Sequence, residues 1–182
     1  MSRAGLIILV YGGLGAIALV WGAVRGNVNI YCYQGQAMPV LRLLVSPVVG
    51  LAVGLTVVFL SRFATHRLEW ARVLHQEFHA VVHELSSREI FLLALFSSGG
   101  EELFFRGGLL PQLGLWPSSL LFAALHVRPA LRFLPWTVMS LIVGLVMGLM
   151  YMRLGDLGGP IVAHFTINLL NLNYISKTEL RV

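Results

Sequence analysis

The chain has 182 residues, of which 57% are hydrophobic and only 12% are charged. Soluble domains carry about 25% charged residues, so this composition excludes an ordinary water-soluble fold and predicts an integral membrane protein. The net charge of +5 is spread between apolar segments rather than clustered on one face, so we expect no nucleic-acid partner. The single cysteine, Cys32, excludes an intramolecular disulfide and a multi-cysteine metal site.

Apolar segments alternate with short polar connections along the chain. At ~20 residues per span, the length allows about six transmembrane helices in one membrane domain covering residues 1–182. We predict spans near residues 4–24, 43–61, 89–110, 117–133, 134–153 and 158–175. The fourth is the weakest, because Arg128, Pro129 and Arg132 interrupt it. The predicted fold class is all-α, a polytopic integral membrane helical bundle.

A long polar segment, about residues 66–87, separates the second and third spans. Its apolar residues recur at helical spacing, which predicts an amphipathic helix on the membrane surface. These residues are Leu68, Ala71, Leu74, Phe78, Val81 and Leu85. Three histidines, His75, His79 and His83, repeat every four residues, and we interpret them as a half-solvated polar face rather than as a metal site.

Basic residues outside the predicted site divide unequally between the two sides of the membrane. The larger group is Arg3, Arg62, Arg67, Arg72, Arg88, Arg128, Arg132, Lys177 and Arg181. The smaller group is Arg25, Arg42 and Arg153. Because cytoplasmic loops carry the excess of basic residues, both termini are predicted to face the cytoplasm.

The third predicted span holds two carboxylates and a guanidinium. Each such charge costs about 2.5–3.5 kcal/mol at the centre of a membrane helix unless it is paired or faces a cavity. Glu102 and Arg106 are four residues apart, the spacing at which helical side chains meet, so they can neutralise one another. Glu101 is left as the unpaired carboxylate, which makes it the candidate general base that takes a proton from water.

Two later spans carry further polar groups. The fourth contains Phe122 and His126, and the sixth contains His164 and Asn168, each pair on one helix face because its members are four residues apart. A lone histidine in a membrane helix is usually structural, but three spans that each carry a carboxylate or a histidine favour a shared catalytic site. At ~1.5 Å per residue, Glu101, His126 and His164 lie at compatible depths, between the midplane and the outer leaflet.

Three patterns, Glu-Glu-x-x-x-Arg, Phe-x-x-x-His and His-x-x-x-Asn, follow one another between residues 101 and 168. Together they resemble the CAAX protease and bacteriocin-processing family of glutamic intramembrane proteases. The resemblance implies that Glu101 and His126 activate a water molecule. It also implies that His164 and Asn168 stabilise the resulting oxyanion. The residues expected to support the site are Glu102, Arg106 and Phe122.

The resemblance implies a metal-free mechanism, so no cofactor is expected. Zinc is the alternative, because a glutamate and two histidines can ligate it and leave an open position. The sequence lacks the His-Glu-x-x-His pattern that places two zinc ligands and a base on one helix.

The expected substrate is a membrane-anchored or lipid-modified protein, cleaved in a membrane-proximal or C-terminal segment. The short chain and the depth of the site favour a prokaryotic sorting or processing protease, similar to the myxosortases, over an endopeptidase of prenylated CaaX tails. The expected location is then a prokaryotic inner membrane. One alternative is a non-catalytic immunity or scaffold protein that keeps the polar cluster for stability. Another is a transporter with a carboxylate proton relay, although the sequence shows no inverted repeat.

Overall fold

The structure is a computed structural model that describes residues 2–27, 29–35 and 40–180. Within these ranges the regular structure is helical, apart from one isolated bridge between Cys32 and Asp156. The predicted fold class, an all-α membrane bundle, is confirmed.

The helices follow one another through short connections. In chain order they are α1 (Arg3–Val24), α2 (Val40–Arg67), α3 (Glu69–Val82), α4 (residues 87–113), α5 (Leu115–Ala124), α6 (Leu134–Leu154) and α7 (Gly158–Lys177). Helix α4 is α-helical over Ser87–Glu102, π-helical over Leu103–Leu109 and α-helical again over Leu110–Leu113.

Several helices are long and apolar enough to cross a membrane, and they match the first, second and fifth predicted spans. Among the described residues they are Arg3–Val24, Val40–Arg67 and Leu131–Leu154. Helices α4 and α7 have similar lengths, and they carry the polar residues of the predicted site. These apolar helices indicate an integral membrane protein.

The fourth predicted span, 117–133, is too long. Helix α5 ends at Ala124 and has 10 residues, which is about 15 Å and half of a bilayer core of ~30 Å. The physical reason lies in the sequence that follows, because Pro129 in a continued helix could not bond to the Leu125 carbonyl group and would clash with it, and Leu125 is where the helix is capped.

Glycines bring α1 against α4 at the level of the predicted acids. Gly100 lies so close to the backbone of Tyr11 that a Cβ atom there would overlap the Tyr11 carbonyl oxygen. Tyr11 belongs to a π-helical turn, Ile8–Gly12, and the π-helical part of α4 begins just after the acids. Such turns are often found at functional sites, because they displace side chains from regular helical positions.

Close packing also holds α7 in place. Gly50 and Gly54 of α2 face Gly159 and Ala163 of α7, where added Cβ atoms would overlap the opposite backbone. Small residues at such contacts let membrane helices approach closely and pack by van der Waals contact. The helix that carries His164 and Asn168 is therefore fixed along its first half.

The predicted amphipathic helix is α3, over Glu69–Val82. Its inward face includes histidines that bond to the C-terminal end of α7. His75 donates through Nε2 to the Thr178 carbonyl oxygen at 2.7 Å, and His79 donates through Nδ1 to the Ile175 carbonyl oxygen at 2.6 Å. The interpretation of a half-solvated face is wrong for His75, which is only 4% exposed because the chain after α7 covers it.

Both ends of the described chain lie at the same end of the bundle. Arg3 pairs with Glu84, just after α3, at 2.6 Å, and Thr178 is bonded to His75 of α3. This agrees with the placing of both termini on one side of the membrane. That this side is cytoplasmic stays a prediction.

Candidate active site

Helix α4 presents its two acids at the end of its α-helical part. The helix begins with a capping box, in which Ser86 accepts a hydrogen bond from the Glu89 backbone and Glu89 accepts one from the Ser86 backbone. Glu101 and Glu102 form its last α-helical positions before the π-helical segment. The acids therefore stand about 20 Å along the helix from Ser86, deep in the bundle.

Glu102 and Arg106 form the ion pair expected from their spacing. Arg106 Nη1 donates to Glu102 Oε1 at 3.0 Å, and the two side chains are 1% and 0% exposed. Arg106 Nη2 also donates to the Gly144 carbonyl oxygen of α6 at 3.1 Å. The guanidinium carbon lies 4.4 Å from the centre of the Phe122 ring on α5. One arginine thus joins α4 to α5 and α6.

His164 of α7 lies between the two acids. Its Nδ1 donates to Glu102 Oε1 at 2.7 Å, and its Nε2 lies 3.9 Å from Glu101 Oε2. The residue is 7% exposed. A hydrogen bond at one imidazole nitrogen fixes the direction of the other, so Glu102 aims His164 Nε2 at Glu101.

Glu101 is the less engaged of the two acids. Its side chain is 12% exposed, and its Oε2 atom is buried without a hydrogen-bond partner among the described residues. Glu102 Oε2 is also buried without a partner, but Glu102 Oε1 accepts from both Arg106 and His164. Buried polar atoms normally have partners, so these two oxygens distinguish the cluster from a fully bonded ion-pair network among the described residues.

Asn168 lies one turn after His164 on α7 and also faces α4. Its Nδ2 donates to Ser97 Oγ at 3.0 Å, and Ser97 is 2% exposed. Sequence reasoning missed Ser97. The available signal was its position four residues before Glu101, which places both residues on one face of α4.

His126 lies beyond the end of α5, in a turn, rather than inside a membrane helix as expected. Its Nδ1 donates to the Phe122 carbonyl oxygen at 2.8 Å, and its ring centre lies 4.6 Å from that of Phe122 and 5.6 Å from that of Trp136. The Phe122 ring also contacts His164, with ring centres 6.2 Å apart. No hydrogen bond joins His126 to Glu101 in this structure.

The structure thus brings most of the predicted site residues together. The cluster that we call the acid cluster consists of Glu101, Glu102, Arg106, Phe122 and His164. Asn168 adjoins it through Ser97, and His126 adjoins it through Phe122. The catalytic roles of these residues stay predictions.

A resident metal has no evident ligand set within the described part of the chain, where no three His, Cys, Asp or Glu side chains are arranged to hold an ion. In the acid cluster, Glu102 Oε1 and His164 Nδ1 are already bonded to one another, and Arg106 adds a positive charge beside them. The expectation that the protein needs no cofactor stays a prediction.

Comparison with known proteins finds a family match for the segment that contains this cluster. Residues 84–170 match the family described as type II CAAX prenyl endopeptidase Rce1-like. The uncharacterized protein YpbD of Bacillus subtilis (strain 168) is 42% identical over 79 residues, which are 43% of this chain and 41% of that protein. No solved structure matches the chain significantly.

Residues 84–170, just under half of the chain, are similar to the CAAX endopeptidase family, in agreement with the resemblance of the three sequence patterns. The matched segment runs from the end of α3 into α7 and includes every residue of the acid cluster, together with Ser97, His126 and Asn168. The 79 residues aligned with YpbD make up about two fifths of that relative's length. The likeness to myxosortases stays a prediction.

Proposed function

We propose that this protein is an intramembrane endopeptidase in which Glu101 is the general base that activates water. The observation that carries the proposal is the unequal engagement of the two acids. Both acids have a buried Oε2 without a partner among the described residues, but Glu102 Oε1 accepts from Arg106 at 3.0 Å and from His164 at 2.7 Å, whereas the Glu101 side chain forms no hydrogen bond with a described residue. A base must have a free oxygen to accept the proton of water, and Glu101 has one beside an imidazole.

Glu102 has the role of orienting His164. The separation of 3.9 Å between Glu101 Oε2 and His164 Nε2 is too long for a direct hydrogen bond. It suits two groups that share a water molecule or a substrate oxygen between them. This arrangement supports a geometry in which Glu101 takes the proton from water while His164 faces the carbonyl oxygen under attack.

Charge balance supports the role of His164 as a donor to the carbonyl oxygen under attack. Two carboxylates and one guanidinium leave a net charge of one negative unit in a buried cluster, and an uncompensated buried charge is costly. A His164 ring protonated on both nitrogens removes that excess. Its Nε2–H then donates to the negative oxygen that develops in the transition state, where such donors are most effective.

The reaction follows from these positions. The water oxygen bonds to the scissile carbonyl carbon, and the water proton passes to Glu101. The tetrahedral oxyanion accepts hydrogen bonds from His164 Nε2 and from the amide of Asn168. The C–N bond then breaks, and the proton on Glu101 passes to the leaving amine. The part of His126 in this scheme rests on the family resemblance alone.

The substrate that we propose is the C-terminal or membrane-proximal segment of a membrane-anchored or lipid-modified protein. A cluster buried among helices admits an extended segment more readily than a folded domain. The family is named for endopeptidases of CAAX prenyl tails, which supports a C-terminal tail of a lipid-anchored protein as one form of this substrate. A sorting segment is the other form. Gly158 begins α7 at the end of the bundle away from α3, and His164 lies only about 9 Å along the helix from it. The site is therefore close to the side opposite the termini, whereas CAAX tails are presented from the cytosol.

We further propose that the protein resides in a prokaryotic cell (inner) membrane with both termini in the cytoplasm. The bacterial origin of the YpbD relative supports the first part. The bonds of Arg3 and Thr178 to the α3 end of the bundle support the second, because the basic residues are concentrated on that side.

A non-catalytic scaffold is the second candidate. The network of Glu102, Arg106 and His164 joins three helices and would brace the bundle without any reaction. This candidate explains the engaged acid, but it gives no reason for an adjacent Glu101 with a free buried oxygen.

The test compares the C-termini of membrane proteins in cells that express the wild type, Glu101→Gln or Glu69→Gln. Glu69 is an exposed acid at the start of α3, so its replacement is a matched control for the loss of one carboxylate. We expect a set of C-termini to be processed in the wild type and the control and to stay unprocessed in Glu101→Gln. Unchanged processing in Glu101→Gln would refute the proposal and favour the non-catalytic scaffold.

A further inference from the structure

The hydroxyl of Ser97 lies between the two helices that carry the proposed base and the proposed oxyanion donor. Ser97 precedes Glu101 by four residues, so the two share a face of α4. Its Oγ accepts a hydrogen bond from Asn168 Nδ2 at 3.0 Å and lies 3.5 Å from the Ala94 carbonyl oxygen. With its hydrogen directed to that carbonyl, the hydroxyl turns a lone pair towards Asn168.

The orientation of the Asn168 amide decides whether it can donate to an oxyanion. A carboxamide has two N–H donors on one side and an acceptor oxygen on the other, and the two ends are nearly equal in size. The hydrogen bond to Ser97 keeps the nitrogen end beside α4, and one N–H remains uncommitted to any described residue. A rotated amide would present its oxygen, which repels a negative charge.

Ser98 shows that burial alone does not explain this contact. Ser98 is 0% exposed, more completely buried than Ser97, yet its Oγ donates only within its own helix, to the Leu95 carbonyl oxygen at 3.0 Å. Of these two adjacent buried serines, Ser97 forms a hydrogen bond to α7 and Ser98 does not.

We propose that Ser97 is a positioning residue of the endopeptidase reaction, holding the Asn168 amide with its nitrogen towards the reacting carbonyl. This inference rests on the proposed function. Ser97 acts through Asn168 and does not touch the reacting atoms.

Kinetics of matched variants test the role. The purified full chain in lipid nanodiscs is given a quenched fluorescent peptide that ends in a farnesylated CAAX tail. We expect Ser97→Ala to lower kcat about tenfold, the effect of losing one buried hydrogen bond, with KM changed less than about twofold. Ser97→Thr, which keeps the hydroxyl, and Ser98→Ala should behave like the wild type. A kcat for Ser97→Ala equal to that of Ser98→Ala would overturn the inference.

A double variant separates positioning from general structural damage. In an Asn168→Ala background, Ser97→Ala should cause no further loss of kcat, because the group that it orients is gone. A further loss as large as that of the single variant would assign Ser97 a role independent of Asn168 and overturn the inference.

A spectroscopic measurement decides the geometry without a substrate. In protein labelled with ¹⁵N-asparagine, the side-chain amide signal of Asn168 is identified by its disappearance in Asn168→Ala. We expect this signal to shift in Ser97→Ala and to keep its position in Ser98→Ala. An unshifted signal in Ser97→Ala would refute the contact.

The Glu101→Gln protein distinguishes a failure of the proposed function from a failure of the inference on Ser97. If Glu101→Gln cleaves the peptide at the wild-type rate, the proposed function fails, whatever Ser97 does. If Glu101→Gln is inactive and Ser97→Ala is fully active, the proposed function stands and the inference on Ser97 fails.

Discussion

Replacing Arg106 by methionine should destabilise the bundle strongly. Arg106 is 1% exposed, and its side chain donates to Glu102 at 3.0 Å and to the Gly144 carbonyl oxygen at 3.1 Å. Methionine fills similar space but leaves Glu102 as a buried charge without its cation and leaves the carbonyl unpaired. Breaking a buried pair by removing one partner costs about 3–5 kcal/mol. Solvent does not reach this pair and so does not screen its charges.

The assay is reversible unfolding in mixed micelles of a mild detergent and dodecyl sulfate, read as the free energy of unfolding. Arg153→Met is the matched control, because Arg153 is exposed at the end of α6. The double variant Glu102→Met with Arg106→Met should recover much of the loss, since no buried charge is then left alone. A loss for Arg106→Met no larger than that for Arg153→Met would refute this account of the ion pair.

Three further predictions concern packing, pH and metal. Gly100→Ala should destabilise the protein by about 1–3 kcal/mol, because its Cβ would overlap the Tyr11 carbonyl oxygen, whereas Gly99→Ala, with open space around the added Cβ, should be neutral in the same unfolding assay. Burial lowers the pKa of the His75 imidazole from its ordinary value of 6.5, so the unfolded chain binds more protons, and stability should fall as the pH drops through about 6.5. His75→Gln should weaken that pH dependence of the melting temperature, and an unchanged dependence would contradict the assignment. Cleavage should continue at its full rate in excess EDTA or phenanthroline, and a loss that added zinc restores would show a metal mechanism.

The parts of the site that sequence predicts are those set within one helix. The pairing of Glu102 with Arg106 follows from a spacing of four residues on α4, and the shared face of His164 and Asn168 follows from the same rule on α7. Which acid His164 meets depends on how α4 and α7 pack, and no spacing rule describes the glycine contacts that place α4 against α1 and α7 against α2. For this reason the sequence does not predict the hydrogen bond from His164 to Glu102, which the structure shows.

Two expectations failed where local pattern and tertiary packing disagree. The apolar run that follows Trp116 suggests a membrane span, but Pro129 stops the helix early and leaves His126 in a turn. The histidines of α3 look polar enough for the lipid headgroup region, but carbonyl groups at the end of α7 accept hydrogen bonds from His75 and His79, and His75 is buried there. Neither partner is near in sequence, so periodicity alone does not reveal them.

The central claim is that Glu101 is the base, and its most direct test is the cleavage rate of purified Glu101→Gln in bilayer vesicles, measured on a C-terminus that the wild type processes in cells. Glutamine keeps the shape of the side chain and removes the base. Because Glu101 Oε2 has no hydrogen-bond partner among the described residues, the variant should fold with the wild-type free energy of unfolding. We expect this folded variant not to cleave the substrate. Cleavage at the wild-type rate would contradict the central claim.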